Sequence, residues 1–306
     1  VLVILSIQFV LLVSGLFASS PTCDEPNHLA AGLAALNTGD FRFNRDHPPL
    51  QNVVCAFPAE ILYKPTLDFD NPAWKRAIHL GLFSRKMLLA NPNRFEDLFF
   101  AARFGTVLLT LGLSVALFLV TRSLLGFLPA CMALALFAVE PNILAHGRLV
   151  TTDLSAALFF FLSTWAFCRF LERNDKQSAA MLGLTLGAGL LSKHSVFVVV
   201  PAFAFTWILY NGPAIWNRFA SREKEANRER NIDGKRMVGN LLICCAVSIF
   251  VIWAGFGFEI GDPVQEERPP HWSPAWQFAQ SVVFPVKFFL GMTTGALSDS
   301  TNPSDP

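Results

Sequence analysis

The chain of 306 residues is 53% hydrophobic and only 15% charged, with 30 phenylalanines, a mean hydropathy of +0.43 and a net charge of +1. Soluble domains carry roughly 25% charged residues, so a soluble globular protein is excluded and a multi-spanning membrane protein indicated. The near-zero charge offers no basic footprint for nucleic acid.

In chain order, Val1 to Ala18 is an almost unbroken apolar run, long enough for a first span. The alternative is a secretory signal cleaved near Ala18-Ser19-Ser20, disfavoured because no basic segment precedes it and many spans follow. Residues 20–97 then form a loop too long for a simple connection, so it must have structure of its own. It opens on Asp24 and Glu25, two adjacent carboxylates that are costly near lipid and therefore face a water-filled or substrate-filled site. Asp24 to Leu36, with acids in its first turn and apolar residues later, reads as a short amphipathic helix at the interface. A second reads from Trp74 to Leu89, where Leu80, Phe83, Met87 and Leu88 oppose Lys75, Arg76, Arg85 and Lys86. Between them lies Arg45-Asp46-His47-Pro48-Pro49-Leu50.

Further apolar runs cover Phe99 to Thr121, Gly126 to Ala145, Leu154 to Leu171, Ala179 to Leu191, Val196 to Tyr210 and Val238 to Phe256, seven spans with the first. The run from Trp276 to Leu297 contains Pro285 and Lys287 and is read as interfacial or loop. Cys131, Cys168, Cys244 and Cys245 sit in apolar segments as small buried hydrophobes. A Cys23–Cys55 disulfide is possible if the first loop faces an oxidising compartment. A divalent cation is also possible, although no ligand cluster is visible in the sequence.

Orientation follows from the basic residues of short loops. Residues 211–237 carry Arg218, Arg222, Lys224, Arg228, Arg230, Lys235 and Arg236 and read as cytoplasmic, with Arg122, Arg169, Arg173 and Lys176 on the same side. The loop 20–97 and the acidic tail after Phe256 then face outward. This gives one transmembrane domain over residues 1–258, with 259–306 beginning a further outer loop; the chain reads as a piece of a longer protein. The expected location is the plasma (inner) membrane, with the site facing the periplasm or exterior.

Three more polar elements fall on that outer side. Asp153 opens a span after the turn Glu140-Pro141-Asn142 through Thr152, where a helix N-terminus favours an anion; the alternative is a plain helix cap. Lys193-His194 closes a run of small residues and suits an anionic head group, the alternative being a snorkelling lysine. Arg103 lies near the outer end of the second span, able to pair with a carboxylate or contact lipid phosphate. Convergence is the argument: Asp24, Glu25, His47, Arg103, Asp153 and Lys193 all reach one face, with His28, Arg45, His146 and His194 as further contributors. A carboxylate there can take a proton from an acceptor hydroxyl while cations stabilise charge on a departing phosphate.

At these residues the sequence resembles the lipid-phosphate-dependent glycosyltransferases that include protein O-mannosyltransferases and bacterial aminoarabinose transferases. The matching elements are Asp24-Glu25, His47-Pro48-Pro49-Leu50, Asp153 and Leu191-Ser192-Lys193-His194, in order over residues 1–210. The resemblance implies an all-α polytopic membrane protein with a GT-C-type helix bundle and amphipathic interfacial helices in a large first outer loop. It implies a glycosyltransferase moving a hexose or pentose, with inversion, from a polyprenyl-phosphate carrier to a protein, lipid or glycan hydroxyl. Asp24 would be the catalytic carboxylate, Glu25 its support in binding or orienting the acceptor, and His47, Asp153 and Lys193 the donor and phosphate ligands, beside which Arg103 stands as a further phosphate-binding candidate from its position alone. Ser192, His194 and His47 depart from the family's Thr, Gly and aminoarabinose-type Lys; a neutral imidazole binds phosphate less strongly than lysine, which leaves the donor open. The rival reading is a transporter or flippase, whose internal repeats we do not find, and a purely structural membrane protein leaves Asp24-Glu25 unexplained.

Overall fold

The computed structural model describes residues 1–16, 19–41, 47–76, 80–220 and 234–258. Arg45, Asp46, most of the basic loop and the run Trp276 to Leu297 lie outside them. Every regular element among the described residues is helical: α1 (Leu2–Ser14), α2 (Glu25–Thr38), α3 (Pro49–Tyr63), α4 (Pro72–Arg76), α5 (Leu80–Ala90), α6 (Phe95–Leu125), α7 (Phe127–Ala138), α8 (Pro141–His146), α9 (Asp153–Arg173), α10 (Lys176–Ser192), α11 (Val199–Ala220) and α12 (Gly234–Gly255). The chain is an all-α polytopic membrane protein.

Local chemistry sets the helix ends. The long α6 starts with Glu96 and Asp97 and closes with Arg122 in its last turn, charges placed to complement the helix dipole. α9 stops at Asn174, which adopts a left-handed conformation at φ 42°. Asp175 and Ser178 then form a reciprocal capping box that starts α10. Asn240 of α12 donates to both the backbone oxygen and the Oδ1 of Asn174, at 2.8 and 2.9 Å, and so ties this turn to the last helix.

Seven spans were expected from the apolar runs. By length and composition, four helical segments among the described residues are able to cross a membrane: Pro92–Leu125, Asp153–Arg173, His194–Gly212 and Lys235–Gly255. The run from Gly126 to Ala145 divides at Glu140-Pro141. Proline lacks an N–H and favours the first helical position, and the Glu140 carboxylate accepts from the Ile143 N–H at 2.7 Å, so a new short helix starts there. α1 and α7 have 13 and 12 residues and α10 has 17, against the roughly 20 that a span takes.

The first loop is built into the fold. Leu29, Leu33, Cys55, Ala56, Ala59, Trp74, Phe83, Met87, Leu98, Phe99 and Ala102 from α2 to α6 form one buried cluster. Within this cluster α2 is buried from Leu29 through Ala35, because its alanines and Gly32 allow neighbours to approach closely. The second expected helix divides into α4 and α5, of which α5 buries Phe83 and Met87 and exposes Leu82 and Leu89. Cys23 and Cys55 are both free, Cys23 exposed and Cys55 sealed inside α3.

Between α10 and α12 the close approach rests on Gly183 and Gly187. A Cβ at Gly183 would lie 2.5 Å from the Cys244 carbonyl oxygen, and one at Gly187 2.9 Å from that of Ser248. Ser248 Oγ donates to the Gly183 oxygen at 3.0 Å across the same seam. Gly183→Leu is therefore expected to destabilise the bundle by about 1–3 kcal/mol, the usual cost of overpacking, read as a lower thermal unfolding midpoint in detergent.

Candidate active site

The site is built on a buried ion pair. Arg103, in the third turn of α6, is 2% exposed and Glu25, the first residue of α2, is fully buried. Arg103 Nε and Nη2 donate to the two Glu25 carboxylate oxygens at 2.8 and 2.9 Å. The remaining N–H groups reach the carbonyl oxygens of Leu16, Ser19 and Ser20 at 2.8, 2.9 and 3.2 Å. All five guanidinium donors are thus in use, and they gather the α1–α2 connection onto α6. Glu25 also accepts from the Thr22 N–H at 3.0 Å and the Val150 N–H at 3.3 Å. Burial alone would push its carboxyl up, but the Arg103 guanidinium and these backbone donors outweigh burial and hold it below the usual carboxylate range.

This pair fixes the backbone of its neighbour. Asp24 is the N-cap of α2, and its own carbonyl accepts from the Asn27 and His28 N–H groups at 3.0 and 3.1 Å. Its side chain is exposed. Asp24 is thus an exposed carboxylate at a fixed helix start, one residue from a saturated ion pair.

The segment 147–153 forms the facing wall. Thr110 Oγ1 donates to the Gly147 oxygen and Thr106 Oγ1 to the Leu149 oxygen, each at 2.9 Å, while Val150 binds Glu25 as above. The segment ends at Asp153, the first residue of α9, whose carboxylate meets Lys193 Nζ from the end of α10 at 2.8 Å. Both side chains are partly exposed, 52% and 36%. A pair so solvated is a weak source of stability.

On the other side of α2, His28 Nδ1 lies 2.8 Å from Asn52 Oδ1 of α3, an arrangement that requires the proton on Nδ1. Burial pushes the His28 imidazole down, against the opposing pull of Asn52 and of Asp24, Asp153 and Glu25. The His47 ring stands edge-on to His28 at 5.1 Å between centroids. His47 and Asn52 line a cavity of about 20 Å³ with Asp40, Phe41, Pro49 and Phe256, room for about one water. Behind it, Gln51 Nε2 donates to Thr106 Oγ1 at 3.2 Å beside Cys55. Burial pushes the Cys55 thiol up to about 12, which makes it an unreactive core group.

Of the sequence-predicted residues, Asp24 and Glu25 are adjacent on α2, Glu25 is joined to Arg103, and Asp153 to Lys193; His28 is in ring contact with His47. His146 ends α8, exposed and within electrostatic reach of Asp153. His194 follows Lys193 and is half-buried. Arg45 lies outside the described residues. Thr106, Thr110 and Asn52, which carry the 147–153 segment and orient His28, were not singled out from sequence; the only available signal was their polarity among apolar neighbours. Among the described residues, no group of three or more His, Cys, Asp or Glu side chains is arranged to hold a metal ion.

Residues 94–223 match the family described as dolichyl-phosphate-mannose-protein mannosyltransferase. The chain is also 23% identical, over 227 residues, to the undecaprenyl phosphate-alpha-4-amino-4-deoxy-L-arabinose arabinosyl transferase of Edwardsiella ictaluri. The chain is thus similar to proteins whose names specify a lipid-phosphate-linked sugar and its transfer. The aligned part covers 67% of this chain and 37% of that transferase, so the chain spans little more than a third of its relative's length. No solved structure matches the chain. Arg103, Asp153 and Lys193 fall inside the matched segment 94–223, and Asp24, Glu25, His28 and His47 precede it.

Proposed function

We propose that the chain is an integral-membrane glycosyltransferase that moves a sugar from a polyprenyl-phosphate carrier to an acceptor hydroxyl at the periplasmic or exterior face of the membrane. The observation that carries the reading is the exposed Asp24 carboxylate, held on a braced helix start at the same end of the bundle as the solvated Asp153–Lys193 pair. The family match and the name of the relative, which specifies an undecaprenyl phosphate-linked sugar, support the donor class. Arg169, Arg173 and Lys176, at the α9–α10 turn at the far end of α9 from Asp153, support the orientation.

In this mechanism Asp24 takes the proton of the acceptor hydroxyl as its oxygen attacks the anomeric carbon. The bond from that carbon to the phosphate oxygen breaks, its electron pair leaves with the carrier phosphate, and the anomeric configuration inverts. Lys193, freed in part from Asp153, and His47 offset the negative charge that builds on the phosphate. Glu25 and Arg103 act as positioning residues: their oxygens and N–H groups are already satisfied by each other and by the backbone, so they hold Asp24 in place.

The test uses the purified full chain in liposomes, radiolabelled polyprenyl-phosphate mannose and polyprenyl-phosphate aminoarabinose, and protein, lipid and glycan acceptors. Transfer of label from at least one donor with inverted linkage is expected. Movement of the carrier between leaflets with no transfer to any acceptor would sink the enzyme reading in favour of a flippase.

A further inference from the structure

The α9–α10 turn, at the far end of α9 from Asp153, carries a second cavity. It measures about 210 Å³ and is lined by Trp165, Arg169 and Arg173 of α9 and by Gln177, Ser178 and Met181 of α10, room for a polar head group and not just a single water. Helical spacing sets Trp165, Arg169 and Arg173 on one stripe of α9, and Gln177 and Met181 on one stripe of α10. The Arg169 guanidinium lies over the Trp165 ring, 6.0 Å from its centroid, a cation–π contact.

The level of this cavity in the bilayer follows from α9 itself. That helix is long and apolar enough to cross a membrane, so its last turns, which hold Arg169 and Arg173, reach the membrane surface. A tryptophan at that level suits the head-group region, where an amphipathic ring is at home. One turn further into the bilayer, Leu184 is exposed on the stripe of Gln177 and Met181, and Phe161 is half-buried on the stripe of Trp165. The cavity is therefore basic towards water and apolar towards the membrane centre.

Its charges are unbalanced. Glu172 is exposed and meets Arg169 only at 4.0 Å, a contact weak at such solvation. Asp175 is engaged in the capping box of α10 and lies within electrostatic reach of both Arg173 and Arg236. With Lys176 beside them, cations outnumber acids around the turn. The capping box uses the N–H groups of Asp175 and Ser178, which leaves those of Lys176 and Gln177, in the first turn of α10, outside it.

We infer that this cavity binds the phosphate head group of an anionic membrane lipid, in the leaflet at the α9–α10 turn. Guanidinium forks match phosphate oxygens with parallel hydrogen bonds, and a basic pocket between membrane helices is suited to such head groups. The acyl chains then run along Leu184 and Phe161. The site stands at the opposite end of α9 from Asp153 and does not depend on the transfer reaction proposed above.

The experiment holds the purified full chain in neutral detergent micelles, titrates phosphatidylglycerol and phosphatidylcholine separately, and counts bound lipid by native mass spectrometry. Phosphatidylglycerol is expected to bind the more tightly. Arg169→Gln and Arg173→Gln should each weaken it about fivefold, and about 25-fold together, as expected for basic residues at a membrane surface, with phosphatidylcholine unaffected. Arg169→Lys should recover part of the loss, since lysine keeps the charge without the fork. Gln177→Glu places a carboxylate at the cavity and should weaken phosphatidylglycerol in the same direction. An acid in the first turn of a helix suits its dipole, so this variant tests the site even if the arginine variants fold poorly. Displacement of phosphatidylglycerol by an equal concentration of glycerol 3-phosphate would overturn the lipid assignment in favour of a soluble phosphate ester. Unchanged phosphatidylglycerol binding in both the double arginine variant and Gln177→Glu would overturn the inference outright. Asp24→Asn should bind phosphatidylglycerol like the parent, so the catalytic reading stands or falls separately.

Discussion

Replacing Asp24 with asparagine is expected to lower sugar transfer by about 10²- to 10⁴-fold, the range that a positioned general base contributes, while the protein inserts and folds normally. The substitution is nearly isosteric, and the Asp24 side chain makes no capping hydrogen bond that would have to be replaced, so the start of α2 should survive it. Neighbouring groups cannot easily stand in. Glu25 is buried with both oxygens bound to Arg103, and Asp153 is engaged by Lys193. The expected signature is a fall in kcat with little change in KM for the donor, measured as initial rates with labelled carrier and checked by an unaltered unfolding midpoint. A variant retaining more than about a tenth of the rate would remove Asp24 from the role of base and leave it at most as an acceptor-positioning group.

The sequence made part of this site legible because topology and charge are one-dimensional properties. Asp24, Asp153 and Lys193 could be brought to one end of the bundle by counting apolar runs, even though the run from Gly126 to Ala145 divides at Glu140-Pro141 into α7 and α8. Helix ends were legible wherever a cap or a charge bias marks them, as at Glu96-Asp97 on α6 and Asp175 before α10. The partners of each charge were not. Glu25 and Arg103 are 78 positions apart, and nothing in either local pattern tells a buried pair from two ligand-binding groups. The burial of α2 was equally hidden, because a helix of alanine, leucine and glycine has the same composition at an interface as inside a core.

The largest stability effect is expected at the ion pair. Arg103→Leu leaves the Glu25 carboxylate buried without its cation and strips donors from the Leu16, Ser19 and Ser20 carbonyls. Breaking a buried pair from one side costs about 3–5 kcal/mol, enough to threaten the whole fold of a marginally stable domain. Arg103→Lys should rescue little, since a single ammonium cannot span the carboxylate and the backbone carbonyls together. The double variant Glu25→Leu with Arg103→Leu should recover part of the loss, because two apolar side chains leave no orphaned charge between them. pH supplies a second readout. The folded Glu25 carboxyl lies below its ordinary value of 4.5. Its contribution is therefore complete above about pH 4.5 and is lost as pH falls through the lowered folded value. Unfolding midpoints in detergent across that acidic window should fall more steeply for the parent than for the double variant. Equal slopes would mean that the carboxylate is not held in its charged form by Arg103, and Asp24 would then lose the rigid support on which its proposed role depends.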